Sequence, residues 1–431
     1  MTITIIGHGY VGLVTAAVFA DLGNIVWVIG HTPEKIEKLK KGIIPIFEPG
    51  LEELVRHNIE ERRLLFTFDY EGAIPASDVV FIAVGTPPKD SGEADLSVVF
   101  EVVRKISKYL RGYTVIATKS TVPIGTNRKI KKIINELKQS KATFDIASAP
   151  EFLREGQAIS DTLHPDRIVI GVDSKQALSL LTELHKPLDG TFVLTTIETA
   201  EMIKYAANAF LATKISFANA IAHLSELTGA DGLKVLEAVG LDKRVGSAFL
   251  APGAGFGGSC FPKDLKALIT IAKKYDYDFV LLKEVENINR EAIIEIVHKA
   301  KKLLGGNLKN KTIGVLGLSF KPDTDDMRDA PSITVIKTLQ KNGAKIKAYD
   351  PIAIENAKKI LKTGVLFSRD PYATVKDCDI LIIITEWNEF KQLDLQKIKK
   401  IMKQPIILDG RNIYDPQKVK KLGFTYQGVG R

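Results

Sequence analysis

The chain has 431 residues, enough for two or three domains, because a single hydrophobic core stops growing at roughly 250–300 residues. Hydrophobic residues make up 45% and charged residues 26%, which is ordinary for a globular protein and excludes disorder as the main theme. The net charge of +9 comes from lysines scattered along the chain, with no basic tail and no recognisable nucleic-acid module, so nucleic acid is not an expected partner and an anionic small substrate is.

Two cysteines, Cys260 and Cys378, stand far apart, which does not suggest a disulfide framework. No CxxC or His/Cys cluster suggests a metal, so none is expected, and a reducing cytosol is the natural compartment. The apolar start is broken by Gly7, His8, Gly9 and Asp21, and no run reaches the ~20 apolar residues of a membrane span. Neither export nor membrane insertion is expected.

Residues Thr2 to Ile6 read as a short buried strand, followed by Gly7-His-Gly-Tyr-Val-Gly12 and an apolar helix from Leu13 to Leu22. In that strand–loop–helix setting G-x-G-x-x-G is a dinucleotide fingerprint. Gly7 makes the tight turn, Gly9 admits the pyrophosphate, Gly12 lets the helix pack, the helix N-terminus holds the phosphate, and Tyr10 and Val11 in the same loop are expected to contact the cofactor. The next strand, Ile25 to Ile29, should end in an acid that holds the adenosine ribose, yet Gly30-His31 follow. NAD is the expected cofactor, and use of NADP stays open because no acid repels a 2′-phosphate.

Further strands at Asp78–Val84, Thr114–Thr118 and Thr143–Ala147 alternate with helices near Val98–Tyr109 and Asn127–Leu137, the pattern of a parallel, doubly wound sheet. Ligands of such sheets lie outside the C-terminal strand ends. The loops Gly85–Pro88, Lys119–Pro123 and Ala149–Gly156 all fall there, although proline and glycine punctuate many loops without function.

Thr195-Thr-Ile-Glu198 has capping-box spacing and opens an apolar-periodic helix to Gly229, about 32 residues and roughly 48 Å. That length suits a bridge between two lobes and leaves a face for another subunit. Lys204 and Asn208 share one side of it. Such residues are normally solvated, but their apolar flanks place them in packing, where a lysine needs a reason.

The stretch Gly255-Phe-Gly-Gly-Ser-Cys-Phe-Pro-Lys-Asp264 sets Cys260 in a glycine-rich turn just ahead of a helix from Phe261 to Tyr275, with Pro262 in its first turn. Unpaired N–H groups and Lys263 there would favour the thiolate. A lone cysteine is more often a small buried hydrophobe, the reading kept for Cys378; the glycine run favours chemistry at Cys260.

Asn310-Lys311 follows Gly305-Gly306 as a boundary, after which Thr312–Leu316, the loop Gly317–Pro322, Lys345–Tyr349, Ile380–Thr385 and Pro405–Leu408 loosely repeat the N-terminal pattern. The second glycine loop is incomplete and predicts a Rossmann-like domain without a second dinucleotide. The fold expected is α/β, two Rossmann-like doubly wound lobes joined by a long central helix. Its parts are a dinucleotide-binding domain over 1–195, a helical dimerisation region carrying Cys260 over 196–305, and a Rossmann-like domain over 306–431.

The Gly-Gly-Ser-Cys-Phe-Pro-Lys-Asp core, the first glycine loop, Lys204-Tyr-Ala-Ala-Asn208, Ser319-Phe-Lys-Pro322 and Asp409-Gly-Arg-Asn412 together resemble the UDP-glucose/GDP-mannose dehydrogenase family, and the likeness runs from Thr2 to about Arg411. The resemblance implies that Cys260, Lys204, Asp264, Asn208, Glu151 and Thr121 are catalytic. It implies cofactor contacts from Thr86, Thr121, Glu155, Lys263 and Arg328 besides the glycine loop. Sugar-nucleotide contacts are implied for Glu151, Phe152, Leu153, Lys204, Asn208, Phe249, Leu250, Gly257, Phe320, Lys321 and Arg411, and Arg244 is implied to reach into the partner of a homodimer. The implied reaction is a two-step oxidation at C6 of UDP-glucose, with Asp264 and Thr121 relaying the alcohol proton through a water, Lys204 and Asn208 holding the oxyanion, and Cys260 carrying a thiohemiacetal and then a thioester. Water activated by Glu151 or Asp264 would hydrolyse that thioester. GDP-mannose as substrate, or a catalytically silent sensor of NAD or nucleotide sugars, are the alternatives.

Overall fold

The computed structural model describes residues 1–139 and 141–431. They form two compact units, Met1–Ala207 with Lys266–Lys274, and Asn208–Leu265 with Tyr275–Arg431.

The first unit holds β1 (Thr2–Ile6), β2 (Ile25–Ile29), β3 (Leu64–Thr67), β4 (Val79–Ile82), β5 (Tyr113–Thr118), β6 (Thr143–Ser148), β7 (Arg167–Val172) and β8 (Thr191–Thr195). They pair in the order β3-β2-β1-β4-β5-β6-β7-β8. The direction of winding reverses between β1 and β4, so the loops after these two strands flank the crevice where such sheets take ligands. All pairings are parallel except β6 with β7, where Ala147 faces Val172 and Ser148 faces Gly171 in antiparallel register. The expected all-parallel sheet is corrected there. Only a short helix, Ala158–Leu163, follows β6, and the chain returns along the same edge instead of crossing over. Strand residues supply both faces of the core: Val79 and Phe81 pack on one side of the sheet, Val80 and Ile82 on the other.

The second unit holds β9 (Thr312–Leu316), β10 (Lys345–Tyr349), β11 (Val365–Phe367), β12 (Ile380–Ile383), β13 (Ile406–Asp409) and β14 (Thr425–Gln427). Their order, β11-β10-β9-β12-β13-β14, repeats the first six positions of the N-terminal sheet, and every pair is parallel. The loose repeat read from the sequence is thus a repeat of topology.

The long helix Ile197–Thr228 has 32 residues and passes through the unit boundary at Ala207–Asn208. Its start differs by one residue from the expected capping box: Thr196 Oγ1 accepts from Thr199 N at 3.3 Å, while Glu198 turns aside to Arg128 Nε at 2.6 Å. Glu201, one turn on, is buried and accepts from Gly125 N (2.6 Å), Asn127 N (2.9 Å) and Asn127 Nδ2 (2.8 Å). These donors open the helix Thr126–Leu137, so one carboxylate satisfies its N-terminus and ties two helices together. Glu201→Ala removes the acceptor of the half-buried Gly125 N and the buried Asn127 N, while Asn127 Nδ2 keeps Thr118 Oγ1 at 2.9 Å, and is expected to cost about 3 kcal/mol. Glu201→Gln should recover part of the loss, as chemical denaturation of the two variants would show.

Candidate functional site

In the first unit the glycine loop after β1 has the geometry its sequence requires. Gly7 sits at φ +126°, and a Cβ there would stand 2.4 Å from the Ala83 carbonyl oxygen, so no other residue fits. Leu13 N donates to Gly9 O at 2.9 Å as the helix Tyr10–Asp21 begins, three residues earlier than the expected start at Leu13. A Cβ on Gly9 would meet nothing within 4 Å, which leaves the backbone N–H groups open to approach. These residues fit a dinucleotide pyrophosphate.

Tyr10 and Val11 lie at the helix start, half-buried. The Tyr10 hydroxyl donates to Glu48 and accepts from Gly156 N at 2.9 Å, while the buried Glu48 also accepts from Gly156 N (2.6 Å) and Ala158 N (2.7 Å). This cluster ties the glycine loop to the segment Glu151–Gly156 and places Glu155 beside it. Thr86 Oγ1 donates to Thr121 O at 2.9 Å, joining the loops after β4 and β5.

The end of β2 explains its missing acid. A Cβ on Gly30 would stand 2.4 Å from Ile36 Cδ1 and 3.0 Å from His8 Nδ1, so the space an aspartate needs is filled. His8 is buried with no partner for Nδ1, and its ring centroid lies 4.9 Å from that of His31. Burial, then His31 and Lys35, push the His8 imidazole down to about 4, so it is neutral at pH 7.

The packed lysine has its reason. Lys204, only 4% exposed, donates from Nζ to Glu151 O at 2.6 Å and Oε1 at 3.1 Å, while Leu153 N donates to Glu151 Oε2 at 2.7 Å. The Phe152 ring lies beneath, 5.1 Å from Lys204 Nζ and 3.8 Å from the Arg167 guanidinium.

In the second unit Cys260 is an exposed cysteine outside any disulfide, 3.6 Å from Ser259 Oγ, immediately before the helix Phe261–Lys273. Asp264 N donates to Cys260 O at 2.9 Å, so the thiol sits at the first turn. Asp264 itself is fully buried; Asn208 Nδ2 donates to Oδ2 at 2.6 Å and Lys263 Nζ to Oδ1 at 2.5 Å. Lys263 therefore places its charge on this carboxylate, ahead of the thiol it was expected to serve.

The glycine run is held tightly. Asn289 pins Phe256 by accepting from its N–H at 2.7 Å and donating to its carbonyl at 3.0 Å. Gly258, at φ +86°, stacks its backbone on Phe320, whose ring a Cβ would approach to 2.7 Å, and Gly257 abuts the Asp329 carbonyl. Gly258 N donates to Arg328 O at 2.9 Å, and the Arg328 guanidinium is held by Asp326 at 2.7 Å. Arg411 reaches the same loop, donating to Gly255 O at 3.3 Å and Ile384 O at 2.7 Å. Lys321 Nζ lies 5.9 Å from the Phe320 ring centroid, Leu250 is buried, and Phe249 adopts φ +64° with its ring 6.1 Å from Phe261. Arg244 is exposed and paired with Asp242 at 2.6 Å.

The loop after β9 differs from its N-terminal counterpart. Asp350, at the end of β10, accepts from Leu318 N (2.7 Å), Ser319 N (3.1 Å) and Trp387 Nε1 (3.1 Å). The N–H groups that would face a second pyrophosphate are already satisfied. Cys378 is buried, donates to Thr374 O at 3.0 Å and is pushed up to about 12 by burial, as a packing residue should be. His223, Glu226 and Glu295 bring ligand atoms within 4.8 Å of one another, but Glu226 already holds Lys299 and Gly430 N.

Residues missed by sequence reasoning are Glu48, Asn289 and Glu201, each a buried polar group with its partners far along the chain; no local spacing marks them. Among the described residues no helix is long and apolar enough to cross a membrane.

Three models of the UDP-glucose/GDP-mannose dehydrogenase family match in succession: the NAD binding domain over residues 1–189, the central domain over 198–291 and the UDP binding domain over 314–416. The chain is 49% identical to the UDP-glucose 6-dehydrogenase of Rhizobium meliloti (strain 1021), over all of both proteins. It is 48% identical to the UDP-glucose 6-dehydrogenase TuaD of Bacillus subtilis (strain 168), over all of this chain and 93% of that one. The solved UDP-glucose dehydrogenase of the hyperthermophilic archaeon Pyrobaculum islandicum superposes with a TM-score of 0.93 at 38% identity, covering 100% of this chain and 97% of that one. With three domain models of one family matched in succession and relatives 48–49% identical along the whole chain, the chain belongs to the UDP-glucose/GDP-mannose dehydrogenase family.

Proposed function

We propose that this protein oxidises the C6 alcohol of UDP-glucose to the carboxylate of UDP-glucuronate in two successive two-electron steps. The observation that carries the reading is an exposed thiol, Cys260, one helical turn from the buried Asp264. Oxidation to the aldehyde alone needs no nucleophile; oxidation to the acid does. NAD, when bound, supplies the hydride acceptor in both steps.

Residues Gly7, Gly9, Tyr10, Val11 and Gly12 would hold the cofactor, with Thr86, Thr121, Glu155, Lys263 and Arg328. In the first oxidation the alcohol proton passes through a water to Asp264 and Thr121, and Lys204 with Asn208 stabilises the developing oxyanion. Cys260 then adds to the aldehyde carbon to give a thiohemiacetal, whose oxidation leaves a thioester. Water, deprotonated by Glu151 or Asp264, displaces the thiolate. Phe249, Leu250, Gly257, Phe320, Lys321 and Arg411 take the nucleotide sugar, together with Phe152 and Leu153, and the guanidinium and ammonium suit its diphosphate.

A second copy of the chain is the partner that fits the long helix. Phe210, Phe217, Leu224 and Leu227 are 48–71% exposed at spacings of seven, seven and three, an apolar stripe along one face that soluble monomers seldom leave uncovered. In that dimer Arg244 would enter the partner's substrate site. Cytosol suits an exposed thiol whose reduced form is needed.

Limiting UDP-glucose should yield two reduced cofactors per sugar, and Cys260→Ser should lower acid formation by about a thousandfold or more while UDP-glucose still binds by calorimetry. One NADH per sugar, or parental rates in the variant, would refute the thioester route. Phe217→Glu should release monomers in sedimentation velocity, whereas an active monomer in the unmutated protein would contradict the dimer. Without a ribose acid the protein should bind NADP within about a hundredfold of NAD in a fluorescence titration, since one charged hydrogen bond is worth roughly 1.5–3 kcal/mol. Gly30→Asp paired with Ile36→Ala, which makes room for the new Cβ, should widen that gap; Gly30→Asp alone should lose stability first.

A further inference from the structure

Lys119 opens the loop after β5 and is one of the few charged side chains almost completely removed from water, 8% exposed. Its Nζ donates to Ala149 O at 3.3 Å and lies 5.4 Å from the centroid of the Phe81 ring, which gives an ammonium little to replace its hydration. It borders a small cavity of about 50 Å³ that it shares with Glu151, Asp161, Arg167 and His185, room enough for a water.

The charges around it are already committed, save one. Asp161 accepts both Arg154 N and the Arg154 guanidinium, at 2.8 and 2.7 Å. Arg167 stacks on Phe152, and His185, pushed down to about 3 by burial and then by Lys119, is neutral with its Nδ1 2.8 Å from Leu181 O. Glu151 is the remaining anion, and it is also the partner of Lys204. Glu151 thus pairs with Lys204 and faces Lys119 only across the cavity that both line.

We propose that Lys119 is a positioning residue that sets the charge on the Glu151–Lys204 pair. Protonated, it competes with Lys204 for Glu151 and leaves the group of three with one surplus positive charge; neutral, it leaves Glu151 to Lys204 alone. The proposal rests on Glu151 and Lys204 acting in catalysis as described above. Burial, opposed by Glu151 and reinforced by Lys204, brings the Lys119 ammonium down to about 8, so the switch falls within the working range of a thiol enzyme.

The first test needs no turnover. An unfolded lysine keeps its proton to about pH 10.4, so between about pH 8 and that value the unfolded chain binds more protons than the folded one and stability rises with pH. Folding therefore carries the cost of Lys119 in full below about pH 8 and loses it above. Lys119→Met, with Lys119→Gln as a second variant should the first fail to fold, removes this dependence. The melting-temperature advantage of the variant should hold level up to about pH 8 and shrink from there to about pH 10. In a Glu151→Gln background the shrinkage should begin at lower pH, because the attraction that holds the proton is gone.

The second test is the ratio of variant to wild-type kcat across pH, in which titrations common to both, such as that of Cys260, cancel. The ratio should differ from one below about pH 8 and return towards one above it. A ratio that stays flat while the thermal signature appears would show that Lys119 titrates without governing the pair, and would overturn the proposal. A pH-independent melting difference would overturn it as well. Failure of the catalytic reading itself would appear differently, as no oxidation of UDP-glucose by the unmutated protein with the thermal signature intact.

Discussion

A carboxylate taken fully out of water must find donors for both oxygens, and the surroundings of Asp264 meet that requirement with Asn208 on one oxygen and Lys263 on the other. The cysteine loop depends on this arrangement. Asp264 N closes onto Cys260 O, so fixing the carboxylate fixes the first turn of the helix and with it the position of the thiol. The loop ahead of it is clamped by Asn289 on the Phe256 peptide and by Phe320 against Gly258, which leaves the thiol exposed on a rigid support.

The first unit solves the same problem in other places. Glu151 with Lys204, Glu201 with the start of Thr126–Leu137, and Glu48 with the Gly156 and Ala158 amides are each a buried carboxylate placed on donors from a distant segment. Such groups set how loops at the strand ends are held, since misplacing one leaves unpaired charge in the interior. Among the buried lysines of the described residues, Lys204 and Lys299 each pair with a carboxylate, whereas Lys119 donates to the Ala149 carbonyl.

Two sheets of the same strand order carry different duties because of one residue at matching places. At the end of β2 a glycine leaves the loop after β1 with open N–H groups, and Ile36 fills the space beside it. At the end of β10 Asp350 turns inward and caps the loop after β9. The N–H groups of the first loop stay open to approach, whereas those of the second are taken up by internal hydrogen bonds.

Much of this was legible in the residues themselves. Strands β1, β2, β9 and β10 fall at the bounds that their apolar runs indicate, because a buried parallel strand flanked by glycine has a short, unbroken signature. Gly7, Gly9, Gly12 and the glycine run before Cys260 announce close backbone approach, and the packed flanks of Lys204 announce a buried charge. The antiparallel β7, the one-residue shift of the long helix's cap and the edge strands β3, β8, β11 and β14 carry weaker local signals, and packing against the rest of the sheet decides them. Chain order and residue type determined the sheets, the glycine loops and the thiol's place at a helix start, since those follow from local sterics and periodicity. Which acid pairs with which base was left to tertiary structure: Lys263 on Asp264, Lys204 on Glu151 and Ile36 in the space beside Gly30 result from distances between segments, and buried charge is compensated across space instead of along the chain.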